Sequence, residues 1–155
     1  MMKLSFDVIS ALQGKTLATA ESCTGGGIGA ALTAVPGSSK VYKGGIISYT
    51  NDVKIKMLGV SSDLLNVHGA VSGPVAEAMA VGARKMLNTD LAVSVTGLAG
   101  PDGDEYGNPV GTVFIGYSDK NTTLAECFHF EGERESVREQ AVFAAHRIIL
   151  KHNVK

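Results

Sequence analysis

The sequence predicts an α/β fold, a three-layer α/β/α sandwich with a mixed, mostly parallel sheet. Helical patterns alternate with short apolar runs along the whole chain, which favours parallel strands joined by helices. Near the carboxyl terminus, two strand patterns at 111–118 and 123–130 are separated only by residues 119–122. So short a connection predicts an antiparallel hairpin. The expected sheet is therefore mixed, with the hairpin as its only antiparallel addition.

Local patterns predict the elements of the amino-terminal half. Apolar residues at helical spacing, followed by Gly14, predict a helix at 3–13. An apolar strand, a turn and a small-residue helix come next. After a loop at 37–44 we expect a strand and then a short helix that Asn51 caps and Gly59 ends. The first strand, turn and helix are expected at 16–20, 21–27 and 28–34. The strand and short helix after the loop are expected at 45–50 and 52–58.

The carboxyl-terminal half is predicted in the same way. After a helical turn at 61–67, Ser72 and Pro74 indicate the start of a helix that runs to about Leu87. A compact apolar run at 91–95 suits a buried strand, and a long loop follows at 96–109. The last helix is expected at 133–151. The buried faces should carry Val75, Met79, Ala83 and Met86 in the first of these helices, and Val137, Ala141, Ala144, Ala145 and Ile148 in the last.

Composition limits the classes of protein that fit. A chain of 155 residues suits one domain, and its formal charge of −1, without a basic stripe, disfavours nucleic acid as a partner. Cys23 and Cys127 are too few and too distant for a disulfide scaffold or a zinc cluster. Asp7 stands where a signal peptide would be apolar, and no apolar run reaches membrane-spanning length. We therefore expect a cytoplasmic protein that does not contact membranes.

Ser22 is a candidate nucleophile, because it lies in the glycine-rich turn between the first strand and its helix. Backbone N–H groups and the positive end of a helix dipole favour an anion at such a turn, and an oxyanion formed by attack of a hydroxyl would be stabilised there. The alternative is structural: Thr24 caps the helix, and Gly25 to Gly27 allow it to approach the sheet closely. The local sequence supports both interpretations equally.

A second glycine-rich loop, at 96–100, also follows a buried strand, and loops at the carboxyl ends of strands line the ligand crevice of open α/β sheets. The four histidines show no arrangement that marks a catalytic base. A buried lysine can serve instead, because burial lowers its pKa. Lys54 is the best placed and Tyr49 could orient it, while Lys40, Lys43 and Lys56 compete for the role.

Two arginines near the start of the last helix are candidate anion ligands. Arg134 and Arg138 share a helix face at the end where the dipole disfavours cations, which suggests that they meet an anion. Surface pairing with Glu131, Glu133 or Glu135 is the alternative. The acids Asp102, Asp104 and Glu105 fit a solvated loop better than a metal site.

Eight blocks of the chain, taken in order, form a recognisable set. The blocks are AESCTGG at 20–26, PGSS at 36–39, GGIISYTN at 44–51 with Lys54, LGV at 58–60, GAVS at 69–72, TGLAGPDG at 96–103, PVGTV at 109–113, and 130–134 with Arg138. Together they resemble the CinA C-terminal domain family, the nicotinamide mononucleotide amidohydrolases. The resemblance covers nearly the whole chain, and the joint occurrence of the blocks is far more specific than any single glycine loop.

The resemblance implies a three-layer α/β/α fold and hydrolysis of nicotinamide mononucleotide to nicotinate mononucleotide and ammonia. It makes Ser22 the nucleophile, with Tyr49 and Lys54 as its partners, and it implies no cofactor and no metal. The substrate would be bound by the two glycine loops and by an arginine, from this chain or from a neighbouring subunit. The expected substrate-binding residues are Thr24, Gly25, Gly26, Thr96, Gly97, Ala99, Gly100, Arg134 and Arg138.

Several points stay open at the level of sequence. We expect residues 1–155 to form one amidohydrolase domain, without the additional N-terminal domain of longer relatives, and to assemble as a homo-oligomer, a dimer being favoured. A non-catalytic nucleotide-binding or regulatory domain linked to competence or DNA damage is the alternative to an enzyme of pyridine-nucleotide salvage. A second alternative keeps the hydrolase and makes Cys23 the nucleophile. The stretch at 104–107 departs from the family pattern and leaves substrate detail open.

Overall fold

The structure is a computed structural model and describes residues 1–154. Within them the chain forms five strands, six α-helices and a short 3₁₀ turn at Ser38–Lys40. The strands are β1 (Leu17–Glu21), β2 (Tyr42–Ile47), β3 (Leu91–Gly97), β4 (Thr112–Asp119) and β5 (Thr123–His129). The helices are α1 (Met2–Ala11), α2 (Gly27–Thr33), α3 (Asn51–Leu58), α4 (Ser62–His68), α5 (Gly73–Leu87) and α6 (Arg134–Asn153).

The strands form one sheet in the order β2-β1-β3-β4-β5. β1 lies in the centre of the parallel part, because it pairs in parallel with both β2 and β3. β4 is antiparallel to β3 and to β5, so it alone runs against the other four strands. The predicted mixed, mostly parallel sheet with a terminal hairpin is confirmed.

Helices cover both faces of the sheet, which gives the predicted three layers. α1, α2 and α6 pack together on one face, and α5 covers the other with α3 and α4 beside it. Alternate residues of β1 serve the two layers: Leu17 joins the core under α1, α2 and α6, whereas Ala18 and Ala20 join the core under α5. β1 is buried along its whole length. The carboxyl end of β1 therefore lies in the interior of the molecule.

The second strand begins earlier than its sequence indicates. We expected a loop at 37–44 and a strand at 45–50, but β2 runs from Tyr42 to Ile47. The glycine pair at its centre hides the strand pattern, and a side chain at Gly45 would collide with Thr19 of β1. Past the end of β2, the Ser48 amide still donates to the Glu21 carbonyl of β1, whereas the Ser48 carbonyl accepts a hydrogen bond from Lys54.

Smaller differences concern caps and one buried face. Thr50 caps α3 by accepting a hydrogen bond from the Val53 amide at 3.4 Å, so the prediction of Asn51 as the cap was wrong. Asn51 is instead the first helical residue. Met86 was expected on the buried side of α5 but is 55% exposed, because the neighbouring Leu87, four residues after the buried Ala83, packs against the core instead. The other predicted helix ends differ from the structure by two residues or fewer, as is usual for frayed termini.

Candidate active site

A cavity of about 320 Å³ opens at the edge of the sheet where β1, β2 and β3 end. Ser22 follows β1, α3 follows β2, and the glycine-rich loop follows β3. Because these three strands are parallel neighbours, the segments that leave their carboxyl ends converge on one crevice. The lining residues are Ser22, Cys23, Tyr49, Asn51, Lys54, Ala70, Val71, Thr96, Gly97, Leu98, Ala99, Gly100, Asp102 and Arg134.

The structure brings Lys54 and Ser22 into contact inside this cavity. Lys54 Nζ lies 3.2 Å from Ser22 Oγ and donates a hydrogen bond to the Ser48 carbonyl at 2.8 Å. The lysine is almost fully buried, and no carboxylate among residues 1–154 forms an ion pair with it. Burial lowers the pKa of Lys54 from 10.5 to about 8. With a pKa of about 8, roughly a tenth of this amine is neutral at pH 7, and that fraction can accept a proton from the serine.

Cys23 shares the cavity but has the opposite character. Burial raises the pKa of its thiol from 9.0 to about 11, although Arg138 and Lys54 act against the shift. The reactive form of a cysteine is the thiolate, so a thiol with so high a pKa is a poor nucleophile. The raised pKa of the thiol therefore favours Ser22 over Cys23 for that role.

The Glu21 carboxylate lies at the amino terminus of α2, where the sequence predicted a bound anion. This buried carboxylate accepts hydrogen bonds from the amides of Ile28 and Gly29 at 2.8 and 3.1 Å, and from Thr24 Oγ1 at 2.7 Å. The first amides of α2 are thus already neutralised inside the protein. The structural interpretation of the turn expected Thr24 to cap α2, but Thr24 makes no such bond. Its hydroxyl instead donates to the Glu21 carboxylate, which binds the α2 amides.

Three amides of the turn make no hydrogen bond to another part of the described chain, those of Cys23, Thr24 and Gly26. The Ser22 amide donates to the Val95 carbonyl and the Gly25 amide to the Ser22 carbonyl. Of the three free amides, those of Cys23 and Thr24 follow Ser22 directly in sequence. This leaves them, and not the α2 terminus, as the candidate donors to an oxyanion formed at Ser22.

The two predicted arginines lie in different places. Arg134 lines the cavity, where it donates to the Gly100 carbonyl at 2.6 Å and to the Tyr49 hydroxyl at 3.1 Å. Arg138 lies behind the turn and donates to the carbonyls of Cys23 and Thr24 at 3.0 and 3.3 Å. It lines a different cavity, against α2. Neither arginine forms an ion pair with Glu131, Glu133 or Glu135 in the described chain.

The remaining predicted site residues divide in the same way. Thr96, Gly97, Ala99 and Gly100 line the cavity, whereas Thr24, Gly25 and Gly26 do not. The Tyr49 hydroxyl bonds to Arg134 and makes no hydrogen bond to Lys54 or Ser22. The competing lysines Lys40, Lys43 and Lys56 are absent from the lining among the described residues.

The family of the chain follows from comparison with known proteins. The model of the CinA C-terminal domain matches residues 2–152. This chain belongs to the CinA C-terminal domain family. It is 52% identical over 132 residues to a CinA-like protein of Citrifermentans bemidjiense, which covers 85% of this chain and 32% of that relative. It is 61% identical over 102 residues to a CinA-like protein of Synechococcus sp., and the match covers 66% of this chain and 24% of that relative.

Solved structures of CinA relatives have the same fold. Competence damage-inducible protein A from Klebsiella pneumoniae has a TM-score of 0.94 at 35% identity, covering 97% of this chain and 94% of that one. The competence/damage inducible protein CihA from Agrobacterium tumefaciens also has a TM-score of 0.94, at 38% identity, covering 98% and 94%. By contrast, this CinA domain spans about a third or less of the length of the two CinA-like proteins compared above.

Two polar residues of this CinA domain line the cavity without having been singled out from the sequence. Asn51 was assigned a capping role, and Asp102 was assigned to a solvated loop. The signal for Asn51 was its place within GGIISYTN, three residues before Lys54 and therefore on the same side of α3. The signal for Asp102 was its place at the end of the second glycine-rich loop.

Nothing in residues 1–154 of this CinA domain groups histidine, cysteine and acidic side chains as a metal site would. His146, the most buried histidine, hydrogen-bonds to Ser5 and to the Val142 carbonyl between α1 and α6, away from the cavity. No helix of the described chain is long and apolar enough to cross a membrane.

Proposed function

We propose that this CinA domain is an amidohydrolase that converts nicotinamide mononucleotide to nicotinate mononucleotide and ammonia. The observation that carries the proposal is the contact between a buried Lys54 of lowered pKa and the hydroxyl of Ser22. The substrate follows from the likeness of the sequence to the nicotinamide mononucleotide amidohydrolases. The names of the relatives give the family, and in two cases competence or damage, but no substrate.

The reaction begins with transfer of the Ser22 proton to neutral Lys54. One N–H of the amine is held by the Ser48 carbonyl, which helps to direct its lone pair towards the serine. Ser22 Oγ attacks the carboxamide carbon, and the carbonyl oxygen becomes an oxyanion near the amides of Cys23 and Thr24. The C–N bond then breaks as Lys54 returns its proton to the leaving nitrogen. Ammonia departs and an ester with Ser22 remains.

Water completes the cycle with the same groups. Lys54 accepts a proton from the water as its oxygen attacks the ester carbon. Ser22 leaves with the proton that Lys54 returns, and nicotinate mononucleotide is released as the acid. Each proton that Lys54 accepts is given back, so the reaction needs neither a metal nor a redox cofactor.

Arg134 is the proposed ligand of the 5′-phosphate. Its guanidinium lines the cavity, and it can bind an anion because it makes no ion pair in the described chain. Tyr49 holds that guanidinium through its hydroxyl, so we assign it to positioning Arg134 rather than to carrying a proton from Ser22. Arg138 is assigned to the turn, whose carbonyls it binds.

The test is release of ammonia from nicotinamide mononucleotide by the purified protein, with Ser22→Ala as the negative control and Ser61→Ala as the matched control. Ser61 is an exposed serine that caps α4, so its loss leaves the cavity unchanged. We expect wild type and Ser61→Ala each to release one ammonia for every nicotinate mononucleotide formed. Ser22→Ala should release neither product. Thermal stabilisation by the nucleotide without any ammonia would identify a non-catalytic binding domain instead.

A further inference from the structure

Asp102 is a charged side chain of the cavity that the proposed mechanism does not use. It lines the same cavity as Ser22 and Lys54, and its carboxylate makes no hydrogen bond or ion pair within residues 1–154. Asp104, two residues later, differs. It accepts hydrogen bonds from the amides of Tyr106 and Asn108 and from the Asn108 side chain, and so holds the loop together. The structural role on this loop belongs to Asp104, which leaves Asp102 free for a ligand.

The loop places Asp102 in the lining of the same cavity as Arg134, the proposed phosphate ligand. Arg134 binds the carbonyl of Gly100, two residues before Asp102. The base of the loop is held by a pair of hydrogen bonds, from the Leu98 amide to Thr112 at 2.9 Å and from the Gly111 amide to Leu98 at 2.8 Å. Arg134 and Asp102 nevertheless lie beyond ion-pair distance of each other. The lining of the cavity therefore carries a cation and an anion that do not pair with each other, each with binding capacity left.

We propose that Asp102 binds the ribose hydroxyls of the nucleotide and so determines specificity for ribonucleotides, an inference that rests on the proposed function. In nicotinamide mononucleotide the ribose joins the pyridine ring to the 5′-phosphate. A group that binds the ribose must therefore adjoin the one that binds the phosphate. A carboxylate has two acceptor oxygens, which match the two O–H donors of a vicinal diol, and such charge-assisted bonds are strong. The same negative charge directs the phosphate towards Arg134.

The test compares binding of two ligands, nicotinamide mononucleotide and its 2′,3′-dideoxy analogue, by calorimetry on a Ser22→Ala background that prevents turnover. We expect the parent to bind the ribonucleotide about tenfold or more tightly than the analogue. Asp102→Ala should reduce that preference to less than about threefold, mainly by weakening binding of the ribonucleotide. The matched control is Glu105→Ala, which removes the same charge from the same loop but outside this cavity, and it should keep the full preference.

Two results would overturn the proposal: an Asp102→Ala variant that keeps the full preference, or a parent that has none. The ammonia assay on the protein with Ser22 intact separates this inference from the proposed function. A preference that depends on Asp102, in a protein that releases no ammonia, supports ribose binding and refutes the hydrolase. Ammonia release together with a preference that ignores Asp102 refutes only the role of Asp102. Absence of nucleotide binding refutes both.

Discussion

Lys54 Nζ lies 3.2 Å from Ser22 Oγ, although 32 residues separate the two in sequence. The contact arises because β1 and β2 are parallel neighbours, so Ser22 and α3 leave the sheet at the same edge. Both residues are buried, and the lysine has no carboxylate partner in the described chain. A cation held in such a place costs free energy. The predictions below follow from this relationship and from the groups around it.

Replacement of Lys54 by methionine should abolish activity while it stabilises the fold. Loss of a general base typically lowers kcat by 10² to 10⁴ fold. Methionine fills a similar volume without the buried charge, so we expect a higher Tm at pH 7. Ammonia release and thermal unfolding measure the two effects. Lys56→Met, on the exposed side of the same helix, is the control and should change neither. An active Lys54→Met variant would refute the proposed base.

The pH dependence of activity should report the pKa of Lys54. The neutral amine is the active form, so kcat/KM should fall about tenfold for each pH unit below an apparent pKa near 8 and level off above it. Initial rates of ammonia release between pH 6 and about 9.5 measure this profile. A profile that is flat from pH 6 to 9 would contradict the assignment.

The same pKa links stability to pH. The lysine has its ordinary pKa of 10.5 in the unfolded chain and about 8 in the folded protein, so between these values the unfolded state binds more protons. The free energy of unfolding contributed by this group therefore rises with pH across that window, by roughly 3 kcal/mol in total. Urea unfolding at pH 7.5 and pH 10, compared between wild type and Lys54→Met, isolates the contribution. Equal pH dependence in the two proteins would contradict it.

Ser22 and Cys23 can be separated by single substitutions. Ser22→Ala should lose all measurable activity, whereas Cys23→Ala should keep most of it, because burial raises the pKa of that thiol. The Cys23→Ala variant also loses packing against the core, so its Tm should be recorded together with its rate. A fully active Ser22→Ala variant would contradict Ser22 as the nucleophile and would favour Cys23 for that role.

Glu21 should be a stabilising rather than a catalytic residue. Its carboxylate accepts two amides of α2 and the Thr24 hydroxyl in a buried position. Hydrogen bonds to charged groups contribute about 1.5–3 kcal/mol each, and their donors would be left unpaired. We expect Glu21→Ala to lower the free energy of unfolding by about 3 kcal/mol or more, and Glu21→Gln by less, because the amide oxygen still accepts. Denaturant melts measure this, and an unchanged midpoint for Glu21→Ala would be the contrary result.

Local sequence was enough to predict most of the fold. Short-range patterns define the helices to within two residues, and the link at 119–122 is too short for anything but a hairpin. β2 is the exception, because its central glycines carry no strand propensity, and Gly45 is required only by its close approach to Thr19 of another strand. The blocks that resemble the CinA family also pointed to Ser22, Tyr49 and Lys54 together before any geometry was known.

What the sequence by itself determined was the set of elements, the family and the chemical types at the site, since these depend on periodicity and on motifs that are contiguous in the chain. Tertiary structure alone decided which groups meet. In the tertiary structure Glu21 binds the amino terminus of α2, Arg134 lines the cavity whereas Arg138 binds the turn, and Asp102 lines the cavity. The physical reason is that strand order, register and burial bring together side chains distant in the chain, and burial then sets the protonation of Lys54.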